Sequence, residues 1–293
     1  MPALEGKVAV ITGGTRGFGA ALVKAFVDAG ARVVFCGRDP AAVAAAEARF
    51  TTHPAVPPAN VGGMVCDVGD LAQVGSLAAF ACKRFGTFDI WVNNAGVSGP
   101  YGEVETLPPD RFEAVVRTNI LGTYHGTIVA LRYLLPRGGG KLINVVGFGA
   151  DGRPAPFQTA YGPTKAWVQS FTRSVAAEHE KSAVGVFVLS PGMMLTALMT
   201  SVESTSPAGE ARLRRLPGVL SFLAQPPEVP AQRAVWLASA ATDGKTGLVS
   251  REFGRRKMLS LGGAGLLRRF GGRGSRPRVE VCPLEPWDGS TGT

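Results

Sequence analysis

Residues 7–22 read KVAVITGGTRGFGAAL: an apolar, β-branched run, a turn rich in glycine, and the start of a helix-length segment. Gly13, Gly17 and Gly19 permit a tight turn. They also let backbone N–H groups at a helix N-terminus approach whatever occupies that turn, which suits a pyrophosphate. With a strand before it and a helix after it, the turn predicts a dinucleotide cradle built from Gly13, Thr15, Arg16, Gly17, Phe18 and Gly19.

The same alternation continues outward from this stretch. Apolar runs at 32–36, 62–66, 88–93, 141–146 and 184–190 are separated by amphipathic stretches at about 39–50, 70–85, 109–133 and 160–180. Near-continuous apolar strands separated by helices predict a parallel sheet covered on both faces. With right-handed crossovers the fold class is α/β: a doubly wound, mostly parallel sheet of Rossmann type, with helices on both faces. Residues 193–224 break the rhythm and read as an inserted substrate lid. A helix at about 227–240 and a short strand near 246–250 close a single domain spanning 1–254. From 255 to 293 Gly and Arg dominate, and the composition is that of a disordered tail.

Charge separates the tail from the body. Residues 245–278 hold ten Lys/Arg against one acid, Glu252, which accounts for the whole net charge of +9. The remainder is balanced, so nucleic acid is not an expected partner of the body. The tail mixes Leu with Arg, and three readings stand: a solvated segment, a membrane-surface or partner contact, or, least favoured, a nucleic-acid contact. The four cysteines (Cys36, Cys66, Cys82, Cys282) have no paired spacing, the first three fall in segments read as buried, and the three histidines are scattered. Reduced thiols, no metal site and a soluble, cytoplasmic protein are the expectation; there is no apolar segment of signal-peptide or membrane-spanning length.

The second strand ends VVFCGRD. A site selective for NAD needs an acid there for the ribose 2′-OH, but Gly37 occupies the place and Arg38 follows. Arg16 and Arg38 together suit a 2′-phosphate, which guanidinium grips with charge-assisted hydrogen bonds, so NADP(H) is preferred over NAD(H). The alternative is a pair of solvated arginines, with Asp39 pairing Arg38.

Later in the chain come NNAG (93–96), Asn119 in TN, YGPTK (161–165) and SPGMMLT (190–196). With the glycine turn, these occur in the order found in short-chain dehydrogenases/reductases, which the chain resembles over about residues 5–250. The resemblance implies that Asp67 and Val68 hold the adenine and that Asn93, Ala95 and Gly96 shape the cofactor channel. It implies that the run from Pro191 through Gly192 and Met194 to Thr196 meets the nicotinamide carboxamide, and that Asn119 holds a water linking Lys165 to solvent. It also implies a homodimer or homotetramer joined through the helices at 109–133 and 160–180. The chemistry has its own logic. Hydride delivery to a carbonyl leaves an alkoxide that needs a proton, and a tyrosine is a poor acid near neutrality without a nearby positive charge. Lys165, one helical turn beyond Tyr161, is placed to supply that charge and to bond the nicotinamide ribose.

One part is missing. The family places a Ser or Thr about thirteen residues before the tyrosine; here Phe148 stands there by count, and Gly147 by position after the strand. Losing an oxyanion donor costs about 10²–10³ in rate. The run GFGADGRPAPFQTAYGPTK resembles the chlorophyll b reductase group, in which a Ser tends to stand at the place of Ala150. A glycine at 147 predicts extra room and a bulky, apolar carbonyl or alcohol substrate held by Tyr161 and backbone donors. The run MMLTALM (193–199) reads either as pocket lining or as a core-facing helix start. The expectation is an NADPH-dependent oxidoreductase using Tyr161, Lys165 and Asn119, and the alternative is a non-catalytic or weakly active NADP(H)-binding member.

Overall fold

The computed structural model describes residues 2–52, 58–251 and 277–289. β1 (Val8–Ile11) is wholly buried and leads into α1 (Gly17–Asp28), followed by β2 (Arg32–Gly37), α2 (Pro40–Thr51), β3 (Val61–Val65) and α3 (Leu71–Phe85). β4 (Ile90–Asn93), α4 (Pro109–Val116), α5 (Gly122–Leu134), β5 (Gly140–Val145), α6 (Gly162–Glu178) and β6 (Val184–Ser190) complete the second half. After residues 193–224, α10 (Glu228–Ala238) and β8 (Val249–Arg251) close the sheet. Seven strands lie in the order β3-β2-β1-β4-β5-β6-β8, every neighbouring pair parallel. The order reverses between β1 and β4, and a doubly wound sheet opens its ligand crevice at such a reversal, beyond the carboxyl ends of the strands.

The two faces carry separate cores. Side chains from α1, α2 and α10 pack with Ile11, Phe35, Ile90 and Val92 on one face. Those from α3, α5 and α6 pack with Val10, Val34, Trp91 and Leu142 on the other. Alternation along each strand decides which residue goes to which face.

Two differences from the sequence reading have physical causes. The single helix expected at 109–133 is interrupted by a π-helical turn, Arg117–Leu121, joining α4 to α5; Asn119 lies in it. The tail, expected to be disordered, is ordered over residues 277–289, which fold back onto the segment 193–224; residues 255–276, which hold most of its positive charge, lie outside the described residues. The segment 193–224, expected to be a lid, comprises α7 (Ala197–Thr200), β7 (Ser201–Ser204), α8 (Pro207–Arg214) and α9 (Leu216–Leu223). β9 (Glu280–Pro283) pairs with β7 in a second, two-stranded sheet.

Candidate active site

The glycine turn is fixed by hydrogen bonds to the segment after β4. The Thr12 hydroxyl accepts from Asn94 N at 3.0 Å and Ala95 N at 3.1 Å, while Asn94 Nδ2 donates to Thr12 O and Gly13 O. Gly13 has φ +68°, and a Cβ on it would lie 2.9 Å from Ala95 Cα. At Gly19 a Cβ would collide with Gly13 O at 1.9 Å, so only glycine lets α1 start so close to the turn. α1 has no side-chain cap on its first N–H groups and no acid in its first turn. That donor set fits a dinucleotide pyrophosphate. Phe18 offers this site its backbone alone, since its ring is buried in the core beside α1. Thr196 approaches the turn from the far side, its methyl 3.5 Å from a Cβ built on Gly17.

At the ribose corner, the Thr15 side chain fills the space above Gly37, where a Cβ would meet it at 2.6 Å. Any side chain at 37 would therefore have to displace Thr15. Asp39 is committed to capping α2 through Ala41 N at 2.9 Å, and neither Arg16 nor Arg38 has an ion-pair partner among the described residues. A third arginine, missed in the sequence, joins this corner: Arg49 donates to Thr15 O at 3.1 Å. Asp67 receives Gly69 N at 2.9 Å and pairs with Arg117 at 3.6 Å; Val68 is buried against α5, with its carbonyl 2.9 Å from His125 Nδ1.

Asn93 is turned the other way. It follows Trp91 on the α5 face of the sheet, accepts from Trp91 Nε1 at 2.8 Å, and donates to Asn144 Oδ1, Thr127 Oγ1 and Thr123 O. Its side chain is part of a buried polar network, leaving only backbone for a cofactor. Met194 packs into the core beside α1, favouring the core reading of that methionine. The run it belongs to is held by Gln225, whose Nε2 donates to Pro191 O at 3.2 Å and whose N donates to Met193 O at 3.1 Å. Nothing local marks Gln225 in the sequence, because a lone glutamine beyond an irregular segment has no pattern.

Tyr161, Lys165 and Asn119 are brought together. Tyr161 caps α6, and Lys165 Nζ lies 5.6 Å from its ring centroid and 3.4 Å from Val145 O. A Cβ at Gly96 would sit 3.3 Å from both Lys165 Nζ and Asn119 Oδ1. Fully buried Asn119 accepts from Val97 N at 2.9 Å, donates to Val97 O and Thr164 Oγ1, and its carbonyl accepts from Thr123 Oγ1. It therefore clamps the segment after Gly96 against α6. Burial pulls the Lys165 ammonium down to about 8 and pushes the Tyr161 phenol well above its ordinary value, to which nearby Tyr101 adds. The sequence reading had Lys165 acidifying Tyr161. In the free protein, desolvation dominates both groups instead.

Gly147 resolves the ambiguity over the missing hydroxyl. A Cβ there would fall 2.3 Å from Tyr161 Oη, whereas Phe148 is half exposed. Gly147 therefore occupies the place facing the phenol, and the room expected above it is filled by the phenol itself. Ala150 is buried in a cluster with Val146, Val168 and Val188.

Known proteins resemble this chain in sequence and in fold. The family model for short chain dehydrogenase matches residues 7–207. An L-fucose dehydrogenase of Bos taurus is 36% identical over 240 residues, 81% of this chain and 84% of that protein. A chloroplastic chlorophyll(ide) b reductase of Arabidopsis thaliana is 37% identical over 237 residues, 77% of this chain and 63% of that one. Among solved structures, a gluconate 5-dehydrogenase from Burkholderia cenocepacia in complex with NADP and tartrate superposes with TM-score 0.74 at 27% identity, covering 88% of this chain and 96% of its own. A 3-ketoacyl-(acyl-carrier-protein) reductase from Brucella melitensis complexed with NADH gives TM-score 0.73 at 29% identity, covering 85% and 97%.

Proposed function

The chain belongs to the short-chain dehydrogenases, oxidoreductases that act on CH–OH and C=O groups, and on that footing we propose that it is an NADPH-dependent carbonyl reductase. The observation that carries the proposal is the buried set of Tyr161, Lys165 and Asn119 around Gly96, opposite the glycine cradle. When bound, the nicotinamide supplies the hydride. Tyr161 Oη then delivers the proton to the substrate oxygen, as in general acid catalysis. Lys165, still largely protonated at neutral pH, offsets the negative charge that arises there. Asn119 keeps the Gly96–Val97 backbone pressed against both. With glycine at 147, the phenol is the one side-chain donor in this position, and backbone N–H groups supplement it.

NADP(H) is favoured over NAD(H) by Arg16, Arg38 and Arg49 around a corner where Gly37 stands in the place of an acid. A bulky, apolar substrate is favoured by Phe148, Leu195 and Leu198, which expose large apolar side chains beside the catalytic tyrosine and at the start of the lid. A homodimer or homotetramer is favoured by the aromatic face of α5 and α6, where Trp167 stacks on Phe171 with centroids 4.7 Å apart and Tyr124 lies edge-on. Four free cysteines suit a reducing compartment, and cytoplasmic is our reading. No helix among the described residues is long and apolar enough to cross a membrane. We place the basic stretch of the tail outside the catalytic role; sedimentation with anionic vesicles, with the Lys and Arg residues of 255–276 intact or replaced by Gln, tests it for membrane contact.

The test is NADPH oxidation across a panel of ketones and aldehydes, with L-fucose and NADP⁺ in the reverse direction. Turnover favouring large apolar carbonyls and lost in Tyr161→Phe is the expected result. The second reading, a cofactor binder without efficient chemistry, draws on the absent hydroxyl at Gly147. Tight NADPH binding with no turnover on any substrate would establish it.

A further inference from the structure

β7, in the middle of the lid, is only four residues long, and its neighbouring helices α7 and α8 have four and eight. Elements this short do not hold themselves in place. On one edge β7 meets the loop after Gly96: Tyr101 N donates to Glu203 O and Thr205 N to Tyr101 O, each at 2.9 Å. On the other edge it meets β9, with Ser201, Val202, Glu203 and Ser204 opposite Glu280, Val281, Cys282 and Pro283. The contact runs on through Leu284 N to Ser204 O at 2.8 Å and Trp287 N to Thr106 O at 3.0 Å.

Side chains reinforce the pairing. Val279 and Val281 pack with Phe157 and Leu216 on a buried cluster of Tyr101, Val202 and Leu213. This cluster reaches the reaction centre by two routes. Tyr101 lies five residues beyond Gly96, and Gly102 N donates to Phe157 O at 3.2 Å, four residues before Tyr161. Phe157 is held at φ +64°, a conformation a bulky residue adopts only when its surroundings impose it.

We propose that β9 braces the substrate chamber from behind: pairing with β7, it holds the lid and Tyr101 against the reaction centre and thereby sets which carbonyl substrates the site accepts. β9 is a positioning element, and no bond described here ties it to the cradle at residues 13–19. The proposal rests on the reductase reading above for its kinetic part and on the lid contacts alone for its structural part.

The test uses full-length protein carrying Val281→Asp, which puts a carboxylate into the cluster, with Val281→Ile as the conservative control. Hydrogen exchange reports the lid directly, and steady-state kinetics report the chamber. In Val281→Asp, residues 197–224 should lose protection while residues 7–36 keep theirs. The KM for the best carbonyl substrate should rise at least tenfold, with the Kd for NADPH within twofold of wild type; Val281→Ile should match wild type in all three. Unchanged lid exchange overturns the proposal. So does a freed lid with an unchanged KM, or a KM and NADPH Kd that rise together, which would mark general loosening. If the wild type binds NADPH but reduces nothing, the reductase reading fails, and lid exchange still decides whether β9 holds the lid.

Discussion

A methyl group at position 147 would sit 2.3 Å from the phenol oxygen proposed to donate the proton, so the proposal couples side-chain volume there to catalysis. Gly147→Ala is expected to lower turnover at least tenfold and to destabilise the fold by roughly 1–3 kcal/mol through overpacking. In a Tyr161→Phe background, which removes the colliding oxygen, the stability loss should shrink, and a double-mutant cycle on denaturant midpoints measures the coupling. Gly147→Ser should likewise fail to raise turnover, because its hydroxyl arrives on the same carbon. Lys165 makes a second expectation. Held near 8 by burial rather than at 10.5, its charged form costs the folded state about 3 kcal/mol. Below pH 8 both folded and unfolded chains carry the charge and the full cost applies. Between pH 8 and 10.5 the folded chain is neutral there while the unfolded chain still binds the proton, so the cost fades. Lys165→Met should therefore abolish reduction yet raise Tm, most strongly below pH 8 and progressively less toward pH 10. The wild-type rate of carbonyl reduction should fall as pH rises through about 8.

Among elements, β2 and α2 carry the proposed preference for NADPH. Arg38→Ala should weaken NADPH by ~10- to 100-fold, the value of one or two charge-assisted contacts, and leave NADH nearly unchanged. Fluorescence titration with both dinucleotides checks it. If both weaken equally, Arg38 acts on something other than the 2′-phosphate. Much of this was legible in the residues: strand, glycine turn and helix stand in chain order, and a four-residue spacing on a helix fixes how Tyr161 and Lys165 face. Arg49 was not, because it reaches Thr15 O from the last turn of α2, across a distance no local pattern reports. Asn93 was legible in principle. Ile90 and Val92 face α1 while Trp91 faces α5, and the pleat then sends Asn93 with Trp91; motif reading overrode that parity. The π-helical turn around Asn119 had no signature either, since RTNIL contains no Gly or Pro to mark a break. Desolvation of Lys165 was equally hidden, because it depends on the assembled burial of α6 against β5 and not on the four-residue spacing.

At the scale of the whole molecule, the least legible feature was the return of the tail. VEVC at 279–282 is too short and too isolated to distinguish a strand from a loop, and its partner lies some eighty residues earlier within a lid that itself broke the pattern. Long-range pairing of this kind is set by a complementary apolar surface, here Val202 and Tyr101, which exists only once the main sheet has folded. The outer faces of α5 and α6 pose the opposite problem: among the described residues, the aromatic surface there stays partly exposed. Tyr124 is 42% exposed, and the Trp167–Phe171 stack lies beside it. Aromatic side chains clustered on adjacent helices, with a groove beyond them lined by Gln169, Ser170 and Arg173, suit a self-complementary contact, since a two-fold axis presents the same patch twice. Trp167→Glu combined with Phe171→Glu buries four carboxylates per dimer at that contact and should shift sedimentation from dimer or tetramer toward smaller species. NADPH binding should persist, because the cradle is built at the start of α1, which packs on the opposite face of the sheet from α5 and α6. An unchanged sedimentation coefficient would mean that subunits meet elsewhere. Loss of NADPH binding together with assembly would mean that α6 needs its neighbour to keep Tyr161 and Lys165 in place.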